Sequence, residues 1–263
     1  MKNIFTFYIL LLLGFFLNAQ NLKSPDNNLD LNFSIDEKGR AFYSLNFHDK
    51  PVILNSGLGF MLKDNVEWMK IDTLDMMNNF KILNVTFDSV DEYWNPVWGE
   101  ESEIRNNYNE MFVELQQKES ERKVNIRFRL FDDSLGFRYE FPLQEKLGSF
   151  IIIDEKTEFA MAGDHTAMWI PGDYDTQEYN YTTSKLSEIE QKSIEFKEEN
   201  VSMYRFSNWA VQTALMMKSQ NGLYINIHEA ALIEYSAMHL EFNPVNMTFE
   251  SHLTPDAYGN MAY

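Results

Sequence analysis

Lys123–Leu143 reads KVNIRFRLFDDSLGFRYEFPL. Val124, Ile126, Phe128 and Leu130 recur at every second position, with Asn125, Arg127 and Arg129 between them. This is the alternation of a strand that gives one face to a core and the other to solvent. Asp132-Asp133-Ser134-Leu135-Gly136 supplies turn formers, and Phe137, Tyr139 and Phe141 resume the alternation. The stretch is therefore a β-hairpin, and its adjacent acids are turn residues rather than a catalytic pair.

The same period extends in both directions. Leu29, Leu31, Phe33 and Ile35 share a face, DEKGR turns the chain at Gly39, and Tyr43, Leu45 and Phe47 continue. PVILNSGLGFML, NFKILNVTFDSV, NEMFVELQQK, FIIID, TEFAMA, WAVQTALMM, AMHLEF and MTFESHL read as further strands, and Tyr224–Phe242 reads mostly as strand. Only Ser184–Asn200, a charged stretch, suits a short helix or an exposed loop. The expectation is one all-β domain over 20–263, with two large sheets packed face to face. Two aromatic and polar stretches resist the strand pattern and are expected to be long functional loops: Asp91–Glu110 and Gly163–Ser184.

Of 263 residues, 44% are hydrophobic and 15% aromatic, enough to build a substantial core. The formal net charge of -18 excludes nucleic acid and anionic membrane surfaces as partners, because both require basic surface; it is compatible with cations and neutral sugars. Residues 1–19 have the Lys2, apolar-run and Asn18-Ala19 pattern of a secretory signal peptide cleaved after Ala19, and the apolar run is short for a membrane span. With no cysteine, the exported protein rests on its core, which points to a bacterial periplasm.

HEAAL at His228–Leu232 begins like a zinc-protease motif but has leucine where the second histidine belongs. The five histidines have no metal-ligand spacing and no serine is framed by nucleophile-elbow glycines. Glu100 and Glu101 are placed to pair with Arg105, while Trp94 and Trp98 are either loop anchors or stacking faces for a sugar ring. Glu229 sits between an apolar run and two alanines. Its carboxylate is either a hard-cation ligand or half of a buried ion pair with an arginine.

Four collinear stretches settle which family the sequence resembles. They are SPDNNLDLNFSIDEKGRAFYSLNFHDKPVILNSGLGF, YWNPVWGEESEIRNNYNEM, FRLFDDSLGFRYEFP and NGLYINIHEAALIEYSAMHLE, and they resemble the amino-terminal domain of glycoside hydrolase family 97. The resemblance covers roughly Ser24–Pro255 and implies a galactose-mutarotase-like β-supersandwich with few or no long helices. Family members are secreted or periplasmic α-glucosidases and α-galactosidases. In them this domain packs on a (β/α)8 barrel and lends one glutamate to a calcium ion at the sugar site. Carried over, that residue is Glu229, the calcium site is shared with the barrel, and the substrate is an α-linked oligosaccharide. Trp98, Glu100, Glu178, Tyr179 and His228 are the expected substrate or domain-interface residues. The family's catalytic carboxylates lie on the barrel, for which a chain ending at Tyr263 has no room, so no catalytic residue is expected here and the chain reads as truncated. The alternatives are a stand-alone carbohydrate-binding module and an envelope β-sandwich that assembles with partners.

Overall fold

The computed structural model describes residues 19–64, 73–195 and 204–256. The expected signal peptide up to residue 18 and the carboxy-terminal residues 257–263 lie outside them. The first four strands, β1 (Gln20–Lys23), β2 (Leu29–Ile35), β3 (Ala41–Phe47) and β4 (Lys50–Leu58), form an antiparallel meander. The β2–β3 turn closes as the sequence predicts: Asp36 accepts the Lys38 and Arg40 backbone N–H groups on its carboxylate. Gly39 is there for two reasons: its φ is +71°, and a Cβ would run into the backbone of Phe80.

Next come β5 (Phe60–Asp64) and β6 (Thr73–Met76), followed by four strands in a row: β7 (Phe80–Trp94), β8 (Ile104–Gln117), β9 (Lys123–Leu130) and β10 (Leu135–Glu140). The β9–β10 hairpin has the predicted register, Leu130 opposite Leu135, with Phe131 N–H bonded to Ser134 O. Val124, Ile126, Phe128 and Leu130 are buried. On the opposite face Glu110 accepts from Arg127 and, at 2.9 Å, from Arg129, while Arg127 also reaches Glu140 at 2.7 Å. The two guanidinium groups lie over the rings of Phe112 and Tyr108, a cross-strand ladder of charge and aromatic contacts.

The rest of the chain gives β11 (Phe150–Glu155), β12 (Glu158–Ala160), β13 (Thr166–Trp169), β14 (Thr182–Lys185), α1 (Ile189–Glu195), β15 (Ala210–Gln212), β16 (Leu215–Lys218), β17 (Tyr224–Ile227), β18 (Met238–Asn243) and β19 (Thr248–Leu253). Of the two readings of Ser184–Asn200, short helix or exposed loop, the structure has the helix, α1, entered through a 3-10 turn at Leu186–Glu188; residues 196–200 of that stretch lie outside the described residues. Among the described residues no helix is long and apolar enough to cross a membrane.

All pairing is antiparallel, in five hydrogen-bonded groups: β1-β2-β3-β4, β10-β9-β8-β7, β11-β5-β6, β12-β19-β18-β15 and β14-β13-β16-β17. The two-face sandwich is thus assembled from smaller sheets. The first and second groups face each other, with Phe33 on Phe128 at 5.7 Å and Tyr43 on Phe137 at 5.4 Å between ring centroids. The fourth group extends the first, because Ile53 of β4 bridges to Met161 just past β12. A single apolar core joins them, running from Leu22 to Leu253.

Two expectations about segments are corrected. Asp91–Glu110 is not a long loop. β7 runs to Trp94 and β8 starts at Ile104, leaving only 95–103 as the tip of a projecting hairpin arm. The arm lacks strand periodicity because most of it is wet on both faces. It is held instead by polar cross-strand pairs: Arg105 clasps Asp91 through two bonds of 2.7 and 2.8 Å, and Asn106 donates to Glu92. Arg105 therefore pairs with Asp91, not with Glu100 or Glu101. Secondly, the strand expected over GLYINIHEAALIEY does not run its length. It breaks after Ile227, and 228–237 form a loop in which Leu232 and Ile233 are exposed.

Candidate functional site

Glu229 lies in that break. β17 ends on buried Ile227, His228 points to solvent, and Glu229 follows half-buried. Its Oε2 accepts the N–H of Met238, the first residue of β18, at 3.0 Å, which closes the 228–237 loop at its base. No lysine or arginine pairs with Glu229 among the described residues, so the buried ion pair with an arginine is not formed. A carboxylate with one oxygen spent on a backbone amide retains acceptor capacity and suits one position in a hard-cation shell. Among the described residues no group of three or more acidic, histidine or cysteine side chains could hold a metal by itself.

Beneath the loop lies a second carboxylate, which the sequence reading missed. Glu155, at the end of β11, is buried. It accepts the Thr157 hydroxyl at 2.6 Å and the Tyr235 hydroxyl, from the loop, at 2.5 Å. Thr157 has one hydroxyl proton and gives it to Glu155, so Tyr139 is the donor in the 2.7 Å contact between its hydroxyl and Thr157. Burial pushes the Glu155 carboxyl above the usual range; the two hydroxyls oppose this, and the charges of Glu229 and Asp154 add to it.

The 163–184 segment is organised by Asp173, also missed. It is 3% exposed, and its two oxygens accept four donors: the backbone N–H groups of Asp175, Thr176 and Tyr204 and the hydroxyl of Tyr179 at 2.7 Å. Tyr179 is consequently an interior tie, and burial, then the Asp173 bond, pushes its hydroxyl well above the ordinary tyrosine value. Glu178 beside it is exposed. Tyr174 emerges from the same turn into a stack with Tyr204, Phe206 and His252.

Consecutive residues of β18 tie the two halves together. Met238 holds Glu229, and His239 Nε2 donates to the backbone oxygen of Asp173 at 2.9 Å; a carbonyl can only accept, so Nε2 carries the proton. Glu229, through Met238, and Tyr179, through Asp173 and His239, thus both belong to the surroundings of β18. Trp98 and Glu100 do not. The pairs Tyr139–Ile126, Ile126–Val113 and Val113–Val85 set a common level across the second sheet. Trp94 is nine residues beyond Val85 along β7, about 30 Å at strand rise, with Trp98 further out still. At the tip Trp98 is 90% exposed and Val97 fully so. An open groove of about 600 Å³ lies on this arm side, between Leu22 and Lys23 of β1 and Phe87, Asp88 and Asn109.

Three buried or partly buried imidazoles set a pH response. Burial lowers the pKa of His165, His239 and His252, and both ring nitrogens of His165 lack a partner among the described residues. Unfolded histidine takes up a proton near pH 6.5, before these folded ones do. Stability is therefore intact above that pH and falls as pH drops through the window below it. Glu155 acts in the opposite sense, costing stability as pH rises above the ordinary carboxylate range. The unfolding midpoint is expected to decrease between pH 7.5 and 5.5, and His165→Leu, which removes two unsatisfied polar atoms, to raise stability by about 1 kcal/mol. A midpoint that rises on acidification over that interval would contradict this account.

Comparison with known proteins adds a lineage to this geometry. Residues 22–258 match the family described as glycosyl-hydrolase 97 N-terminal. A retaining alpha-galactosidase of Bacteroides thetaiotaomicron is 24% identical over 231 residues, covering 83% of this chain and 30% of that protein. A glycoside hydrolase family 97 enzyme from Pseudoalteromonas sp. strain K8, solved in complex with acarbose, superposes with a TM-score of 0.77 at 32% identity, covering 92% of this chain and 33% of that one. A beta-arabinopyranosidase shares the fold at 18% identity, with a TM-score of 0.70 over 89% of this chain and 35% of that one. The chain spans about one third of the length of these relatives.

Proposed function

The chain belongs to the glycosyl-hydrolase 97 N-terminal family, and from that premise we propose that it is the non-catalytic part of an exported, exo-acting α-glycosidase and lends Glu229 to a calcium ion shared with a catalytic barrel. That it is the amino-terminal domain of a glycoside hydrolase follows from the family match. The export, the periplasmic location, the α-linked substrate and the calcium are the proposed parts.

The supporting observation is the state of Glu229: half-buried at a strand end, aligned by the Met238 amide and free of any basic partner among the described residues. One carboxylate is far from the six to eight oxygens calcium takes, so the remaining ligands belong to another body. Bound calcium would supply an electrostatic anchor for sugar hydroxyls. The work of this chain is to hold one oxygen donor at the end of β17, oriented by its bond to the Met238 amide. Cleavage itself needs two carboxylates placed across the glycosidic bond, and the proposal assigns neither to this chain.

The exposed arm carries a second reading. Trp94, Val97, Trp98 and Tyr93 present apolar faces among the acids Asp91, Glu92, Glu100, Glu101 and Glu103. In the longer enzyme they are a docking element for another domain; in a stand-alone carbohydrate-binding module they are stacking faces for neutral sugar. Sequencing the gene beyond the codon for Tyr263 separates these. An open frame of several hundred alternating strand and helix codons is the expected result. A stop at that point with no barrel encoded nearby would leave the binding-module reading in the lead, and calorimetry of the chain with maltose would then test it.

A further inference from the structure

We propose that Tyr235 and Glu155 are positioning residues for Glu229: their hydrogen bond pins the 228–237 loop to a fixed point of the sandwich and so sets where the Glu229 carboxylate stands. The inference rests on the reading of Glu229 as a cation ligand.

At its carboxy end the loop is also tied through Ala237, whose backbone oxygen accepts the Thr254 N–H at 2.9 Å. Residues 228–237 contain no helix or strand. Its aliphatic side chains Leu232 and Ile233 are 49% and 77% exposed, so they do not anchor it. Glu234 takes a positive φ of 51°, which reverses the chain and turns Tyr235 inward, where its ring packs against the core and its hydroxyl meets Glu155 Oε2.

The acceptor, by contrast, is rigid. Glu155 ends β11 opposite Phe60 of β5. Its backbone oxygen accepts the Ser251 hydroxyl at 2.7 Å, and its other carboxylate oxygen accepts Thr157, which is held in turn by Tyr139. Every group in this chain of bonds sits on a strand or packs against one; only Tyr235 belongs to the loop. The phenol therefore transmits the position of the sheet to the loop, and the Met238 amide fixes the orientation of Glu229 at the loop's base. Without the phenol bond the loop loses its tie to Glu155, and the Glu229 carboxylate samples more positions. A cation shell with oxygens at 2.3–2.6 Å is sensitive to that freedom, as outer partners of metal ligands are worth roughly 10–100-fold in affinity.

The test uses the protein translated from the complete reading frame, with two readouts. Amide hydrogen exchange reports on the loop, referenced to β18 and β19 amides in the same molecule, and titration calorimetry with calcium reports affinity. In Tyr235→Phe, exchange over 229–238 is expected to rise at least about tenfold relative to the strands, and calcium affinity to fall about tenfold. Glu155→Gln keeps an acceptor for the phenol and is expected to retain loop protection. Glu229→Gln is expected to lose calcium while keeping the Met238 amide protected, since the glutamine carbonyl still accepts from it. Loop protection in Tyr235→Phe equal to wild type overturns the positioning role. Wild-type calcium affinity in Glu229→Gln overturns the cation reading instead, whatever Tyr235→Phe does to the loop.

Discussion

Asp173→Ala is expected to unfold at a free energy about 4 kcal/mol below wild type. The wild-type carboxylate is buried and receives four hydrogen bonds. Alanine leaves three part-buried backbone N–H groups and the buried Tyr179 hydroxyl without this acceptor, and an orphaned buried donor costs about 1–3 kcal/mol. Water admitted by the vacated volume recovers part of that sum, which is why the expected figure is near the cost of one broken buried charge cluster rather than four full penalties. Tyr179→Phe, which deletes a single donor, is expected to cost about 1–2 kcal/mol. Urea unfolding measures both. An Asp173→Ala protein within 1 kcal/mol of wild type would mean that the turn at 173–176 is held by something other than this carboxylate.

Glu229→Gln in the complete enzyme is expected to weaken calcium binding on the order of 100-fold, with little change in thermal stability once calcium is removed. Glutamine fills the same volume and keeps a carbonyl for Met238, but it gives up the negative charge that a hard cation requires, and charge count is a main determinant of calcium affinity. Stability without calcium should hold because the charge has no basic partner to lose among the described residues. Calorimetric titration of calcium into the metal-free proteins measures the first effect and a thermal melt in chelator the second. Equal calcium affinity in the two proteins would remove Glu229 from the ion's shell.

Much of the fold was legible because the core imposes period two on any strand it covers. The 123–143 hairpin and the β2–β3 pair read correctly for that reason: every second residue is buried or packs against the core, and the β2–β3 turn carries its own chemistry in Gly39 and Asp36. The arm failed the same test for the opposite reason, since its outer half buries little on either face and its order comes from Arg105–Asp91 and Asn106–Glu92 contacts across the pair. The 228–237 loop reads as strand because Leu232 and Ile233 extend the apolar run, yet in the fold both are exposed. Glu229 stood out as a charge in an apolar setting. Glu155 and Asp173 did not: an acid closing FIIIDE looks like a strand end, and one in GDYD looks like a turn. Their importance lies in donors 31 and 80 positions away, at Tyr204 and Tyr235, which no local window brings together.

The projecting β7–β8 arm separates two kinds of selection on this sequence. A mutation in the core is judged by folding, because it changes the packing of every neighbour. A mutation at Trp98 or Val97 is invisible to folding, since those side chains touch water. The tip is therefore free to vary as far as the domain's own folding is concerned, and whatever Trp98 and Val97 do there is decided by what meets them outside the sandwich. The arm is a module that can be recut for a new neighbour while the scaffold that carries it stays untouched.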